Sequence, residues 1–165
     1  VPGPQDSWTI AEGKKFLDHN AAKGTLCPCC ERPYKIYRRT VNGDMAVFLI
    51  RFYKLFGALP PGVYSKIPKE IKPNGGDYAK LRFWGLIEPK PNARRKDGST
   101  RSGQWAMTDL GRRFVRREVS IWVGAYELDG NFLAFDQSSY VVIDQCLEKD
   151  FNYNELMTHV PSIPG

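Results

Sequence analysis

The stretch Tyr78-Ala79-Lys80-Leu81-Arg82-Phe83-Trp84-Gly85-Leu86-Ile87-Glu88 decides how this chain is read. Asp77 can cap a short helix over Tyr78 to Trp84, and Gly85 is the residue type that stops one. Leu86-Ile87-Glu88 then reads as a short apolar strand. From Pro89 to Ser102 the chain is polar and centres on Asp97-Gly98, the pair a hairpin tip requires. Gln104-Trp105-Ala106-Met107 is the returning strand, and Thr108 caps a helix from Asp109 to about Glu118. The local plan is a helix, a tight stop, a two-stranded wing and a second helix. Leu81 and Trp84, with Tyr78 beside them, are spaced to face a core, which leaves Lys80 and Arg82 outward.

Upstream, Asn42 can cap a helix in which Met45, Phe48, Leu49, Phe52, Leu55 and Phe56 recur at spacings of three and four. Gly57 ends it and Pro60-Pro61-Gly62 forces a loop. Val63 to Ile71 holds a short strand or a short helix, where Pro68 permits only a helix start. Pro73-Asn74-Gly75-Gly76 is a turn. Nearer the N-terminus, Thr9 and Glu12 have capping-box spacing ahead of a helix from Ile10 to Ala22, ended at Gly24. Leu26 to Arg32 is a tight turn, and Tyr34 to Thr40 alternates like a strand.

Downstream, Ile121 to Leu128 and Asn131 to Phe135 flank Asp129-Gly130, a strong hairpin signal. Ser138 or Ser139 is expected to cap a helix running through Val141 and Val142 to Leu147. Asn152 is expected to cap a last turn over Glu155-Leu156-Met157. The resulting class is α+β in three consecutive parts. Residues 7–41 form an N-terminal helix and Cys-turn lobe. Residues 42–117 form a core of helices around a two-stranded hairpin, and residues 118–159 a β-hairpin plus helix extension.

The chain has 165 residues, and 42% hydrophobic residues are enough to bury a core. Its net charge of +6 conceals an asymmetry. Residues 66–117 hold 14 Lys/Arg against 5 Asp/Glu, whereas residues 118–165 hold 1 against 8. A polyanion would be met by the middle third, and the acidic tail suits a protein partner or a face turned away from nucleic acid. No run of apolar residues is long enough to cross a membrane, and the start lacks the layout of a signal peptide, so a cytoplasmic protein is expected.

Three of the four cysteines, Cys27, Cys29 and Cys30, lie within four residues, unlike a secreted disulfide framework. Cys27 and Cys30 have the CxxC spacing of a zinc knuckle, Cys29 adds a third thiol, and His19 can approach from the helix end. Structural zinc takes four ligands and no second CxxC follows, so a metal-free turn, a structural zinc site and a zinc site shared between two copies all stay open. A redox dithiol would need a different context. Asp144, Glu148 and Asp150 can bind a cation or line a solvated helix face. Tyr126, Phe132 and Phe135 can stack bases or fill a core. No phosphate-cradling Gly-rich loop is present, and Asp18-His19-Asn20 lacks the frame of an HNH nuclease, so no catalytic residue is assigned.

The segment Leu81 to Ile87, followed by Gly103-Gln104-Trp105-Ala106-Met107-Thr108-Asp109-Leu110-Gly111-Arg112-Arg113-Phe114, resembles the winged-helix domains of MarR-like and PadR-like regulators. There a "Leu-x-x-x-Gly-Leu-Ile" pattern ends the recognition helix and "Leu-Thr-x-x-Gly-Arg" opens the helix after the wing; Met107 here replaces the usual Leu. The resemblance implies a winged helix-turn-helix core over residues 42–117 and duplex DNA as partner. Lys80 and Arg82 would contact base edges, and Arg94, Arg95, Lys96 and Arg101 would contact phosphates. The wider layout is similar to a group of uncharacterised phage and prophage proteins, through Cys27-Pro28-Cys29-Cys30, Tyr37-Arg38-Arg39, Asn42 to Met45 and Phe151 to Met157. A phage transcriptional regulator or accessory protein acting in a bacterial host, monomeric or homodimeric, is the resulting expectation. The alternative is a module that binds or inhibits a host or phage protein.

Overall fold

The computed structural model describes residues 3–91 and 103–158. Within them the protein is a mixed α+β chain that divides into two compact units. One comprises Val1–Arg39 with Gly124–Asp136, and the other Thr40–Val123 with Gln137–Gly165.

The larger unit is organised by helix α2, Gly43–Phe56. Asn42 caps it by accepting from the Met45 N–H at 2.9 Å. The helix buries Met45, Ala46, Val47, Phe48, Leu49, Ile50 and Phe52, so its N-terminal turns are buried all round rather than on the one face its spacing predicts, while Leu55 and Phe56 are half-buried. A short strand β4, Ser65–Lys66, resolves the ambiguity of the Val63–Ile71 segment in favour of a strand. The segment Asp77–Trp84 is helical, as its spacing predicts, but as a 3-10 helix. Its cap is Gly76, which offers no side-chain bond, and Asp77 is the first helical residue rather than the cap. Gly85 stops it at φ 69°, the left-handed conformation glycine adopts without a Cβ penalty.

Strand β5, Ile87–Pro89, then pairs antiparallel with β6, Gln104–Met107, in the register Ile87↔Met107, Glu88↔Ala106, Pro89↔Trp105. The far edge of β6 takes up β4, giving the order β4-β6-β5. Helix α3, Asp109–Val115, packs on α2 and is shorter than its sequence suggests, ending where Arg117 turns to φ 66°.

The two sequence patterns meet physically at this point. Thr108 caps α3 by accepting from the Gly111 N–H at 2.9 Å, and its hydroxyl lies against the carbonyls of Gly85 and, at 3.0 Å, Leu86. Arg112 reaches back to the end of α2, donating to the Gly57 carbonyl at 2.6 Å and the Leu59 carbonyl at 3.2 Å. Threonine, glycine and arginine at this spacing thus tie the helix after the hairpin to the helix stop before it. Helix α4, Ile143–Cys146, is a single turn, with Gln145 accepting from the Val142 N–H at 2.9 Å. Helix α5, Tyr153–Thr158, lies on α2, with Asn152 accepting from the Glu155 N–H at 3.0 Å.

In the smaller unit, helix α1, Ile10–Asn20, starts with the expected capping box between Thr9 and Glu12. Strands β1, Thr25–Leu26, and β2, Pro33–Tyr34, form a minimal hairpin. Strand β3, Ile36–Arg39, joins the hairpin of β7, Ile121–Leu128, and β8, Asn131–Val141, of which Gly124–Asp136 belongs to this unit, in the order β3-β7-β8. Asp129 and Gly130 at the tip have φ 52° and 78°, as a type I′ turn requires. Strand β8 is longer than predicted, so Ser138 and Ser139 sit within it and cap no helix. Among the described residues of this unit, the buried positions are Ala21, Gly124, Ala125 and Glu127.

Candidate nucleic-acid interface and thiol turn

Lys80 and Arg82, expected to face outward, are each half-buried. No residue from Tyr78 to Trp84 is exposed. The Lys80 ammonium bonds to the Asp77 carboxylate at 2.8 Å. Arg82 donates to the Ala79 carbonyl at 2.8 Å, and its guanidinium lies 4.7 Å from the Phe83 ring centre. The three-residue repeat of Tyr78, Leu81 and Trp84 fits the 3-10 period, and Trp84 is fixed by donating to the Trp122 carbonyl at 2.8 Å. Both cations therefore help hold a short, half-buried helix. Arg94, Arg95, Lys96 and Arg101, with the Asp97-Gly98 pair, lie outside the described residues.

Strand pairing supplies basic positions that sequence reading did not single out. Lys66 stands opposite Gln104 across β4 and β6. The Lys90 N–H donates to the Gln104 carbonyl at 3.0 Å, just beyond β5. Lys66, Gln104 and Lys90 therefore form one row across the three strands, with the two lysines roughly 10 Å apart at the backbone. Both are exposed and, among the described residues, neither is in an ion pair. This row lies where the chain leaves β5 for the Arg- and Lys-rich segment 92–102 and returns in β6. Lys69, Lys72 and Arg113 are also exposed. Placing Lys66 in a strand was the missing step, because a two-residue strand has no alternation to read.

The cysteine turn is built by the β1–β2 hairpin. The Cys27 N–H donates to the Arg32 carbonyl at 2.8 Å, and the Glu31 N–H to the Cys27 carbonyl at 2.9 Å, with Glu31 at φ 59° turning the chain back. Hydrogen bonding from the backbone N–H groups of Cys30 and then Cys29 holds the Cys27 thiol below its usual value. Cys29 and Cys30 are exposed and Cys27 is half-buried. His19 lies instead in a groove with Trp8, Glu12, Lys15 and Phe16. Among the described residues no three His, Cys, Asp or Glu side chains converge on a point where an ion would be held.

Cys146 differs from the others. Burial pushes its thiol up to about 11. It is therefore protonated at neutral pH and shielded from reagents, and the thiolate is the reactive form. Alkylation of the reduced, metal-free native chain is expected to modify Cys27, Cys29 and Cys30 while sparing Cys146, as peptide mass mapping would read. Labelling of Cys146 as fast as the turn thiols would contradict its burial.

Asp144 is engaged by Arg117, which forks onto both carboxylate oxygens and stacks 3.7 Å from the Tyr153 ring centre. The acidic set of Asp144, Glu148 and Asp150 is thus partly consumed by a structural ion pair. Tyr126 and Phe135 are half-buried; Phe132 is exposed, with its ring 4.8 Å from that of Phe135. Among the described residues no helix is long and apolar enough to cross a membrane. Comparison with known proteins returned no matching family model, no matching curated protein and no matching solved structure.

Proposed function

We propose that the larger unit is a winged helix that binds duplex DNA through its wing, mainly by phosphate contacts. What supports the winged helix is the connectivity of α2, β4, the 3-10 helix, the β5–β6 pair and α3, with Thr108, Gly111 and Arg112 locking the last helix to the helix stop. The observation that carries the DNA reading is the row of Lys66 and Lys90 at the base of a segment containing Arg94, Arg95, Lys96 and Arg101. Exposed lysines at strand-row spacing suit a phosphate backbone, which rewards positive charge irrespective of sequence. Base reading by Lys80 and Arg82 has less support, because both are half-buried and bonded within the helix. Binding of low sequence selectivity is the consequence.

The test is fluorescence anisotropy with a labelled random duplex over a salt series. Affinity is expected to fall steeply with salt as counterions are released. Replacing Lys66 and Lys90 together by Gln is expected to weaken binding to all duplexes alike, and to reduce the magnitude of the log–log salt slope by about 2, near 0.9 per phosphate contact. Absence of binding at low salt, or affinity indifferent to these lysines and to Arg94, Arg95, Lys96 and Arg101, would overturn the reading. A protein-docking role would then be favoured, with the acidic stretch from Glu118 onward as the surface to probe.

A further inference from the structure

The β1–β2 hairpin presents a thiol pair, and among the described residues no third ligand stands with it to complete a metal site. Cys27 and Cys30 are separated by two residues, the spacing at which one turn can deliver two sulfurs to one ion. The turn that carries them is closed by its own backbone, with the Cys27 N–H donating to the Arg32 carbonyl at 2.8 Å and the Glu31 N–H to the Cys27 carbonyl at 2.9 Å. Closed zinc sites take four ligands in a tetrahedron. The described part of one chain brings no three candidate ligands together, and His19 is held in a separate groove on α1.

Two further features concern what could supply the missing half. The turn is outward-facing, with Cys29, Cys30, Glu31, Arg32 and Pro33 all exposed, so a second molecule can reach it. Leu26, paired in register with Pro33 beside the thiols, is 57% exposed. An apolar side chain left in water next to a half-complete ligand set is what a self-complementary contact would cover. The smaller unit also buries few side chains, and units with thin cores gain most from a metal or from association.

We propose that Cys27 and Cys30 of two copies of this chain together ligate one zinc ion in a four-sulfur site, making the thiol turn a zinc-dependent dimerisation element. The two-fold arrangement supplies four equivalent sulfurs from two identical half-sites and covers both Leu26 side chains. Cys29, which lies between them in sequence, is not a ligand in this arrangement. The site depends on the smaller unit alone and stands or falls separately from DNA binding.

The experiment uses the full chain, purified reduced and stripped of metal, and titrated with zinc or with cobalt as a spectroscopic stand-in. Native mass spectrometry and light scattering are expected to show conversion from monomer to dimer, with one zinc ion per two chains. Cobalt is expected to give the intense visible bands of a tetrahedral thiolate site. C27S and C30S should each lose both metal and dimer, whereas C29S should retain both. A chelator should return the dimer to monomer. One zinc ion per monomeric chain, a dimer that persists in metal-free C27S, or failure of the reduced chain to bind zinc or cobalt would each overturn the proposal. Far-ultraviolet circular dichroism of the metal-free variants separates loss of ligand from loss of fold.

Discussion

Replacing Gly111 by alanine is expected to destabilise the larger unit by about 3 kcal/mol, even though alanine is the better helix former. Gly111 lies inside α3, where the intrinsic gain of alanine over glycine is about 1 kcal/mol. A Cβ built there would stand 2.1 Å from the Leu86 carbonyl oxygen and 2.6 Å from the Met107 sulfur. The sulfur can swing away. The carbonyl cannot, because it belongs to the backbone between the Gly85 stop and β5, and it accepts from the Thr108 N–H at 3.3 Å. The helix must therefore lift, which strains the Thr108 cap and the Arg112 bonds to Gly57 and Leu59. Gly13 provides the control. It also lies within a helix, and a Cβ there meets nothing within 4 Å, so Gly13→Ala is expected to be neutral or stabilising by up to about 1 kcal/mol. Urea denaturation followed by tryptophan fluorescence and circular dichroism reads both. If Gly111→Ala unfolds at or above the wild-type midpoint, the close approach of α3 to Leu86 is not what holds this unit together.

That close approach explains why much of the larger unit was legible from sequence. The helix stop at Gly85 and the Thr108-x-x-Gly111-Arg112 pattern are local signals, and each residue in them has a duty that only its own chemistry performs. The Asn42 cap of α2 and the Thr9–Glu12 capping box are equally local, and they are found where predicted. The misses have physical causes. Tyr78, Leu81 and Trp84 recur every three residues, which serves a 3-10 helix as well as an α-helix, and packing chose the tighter form. Ser138 and Ser139 are strong capping types by composition, yet the hairpin continues through them and both are exposed on β8. The pairing of β3 with β7 joins residues some ninety positions apart, and no short-range pattern encodes it. At the candidate site, the thiol turn was readable because its residues are consecutive. The Lys66–Gln104–Lys90 row was not, because three separate segments build it.

Arg39→Leu is expected to cost about 3 kcal/mol in the smaller unit, the lower end of the range for breaking a buried pair from one side. Glu127 is buried to 4% relative exposure on β7, where its backbone neighbour across the sheet is Tyr37. Arg39 donates from Nε to its Oε1, and the guanidinium also lies 4.8 Å from the Tyr37 ring centre. The arginine side chain is 35% exposed, so solvent screens part of the attraction, and this places the expected loss at the low end. Removing the arginine strips a buried carboxylate of an ion-pair partner, whereas removing both charges leaves no ion of this pair to solvate. Arg39→Leu combined with Glu127→Leu is accordingly expected to recover most of the loss, and Arg39→Lys to recover only part, since an ammonium cannot reproduce the flat guanidinium on Tyr37. Hydrogen exchange of the β3 and β7 amides reports on this unit directly. Unchanged protection in Arg39→Leu, or a double variant as weak as the single one, would mean that Glu127 draws its compensation from elsewhere. The Tyr37-Arg38-Arg39 run would then be surplus to the sheet, instead of being spent on it through Arg39–Glu127 and the 2.8 Å Arg38–Asp136 pair.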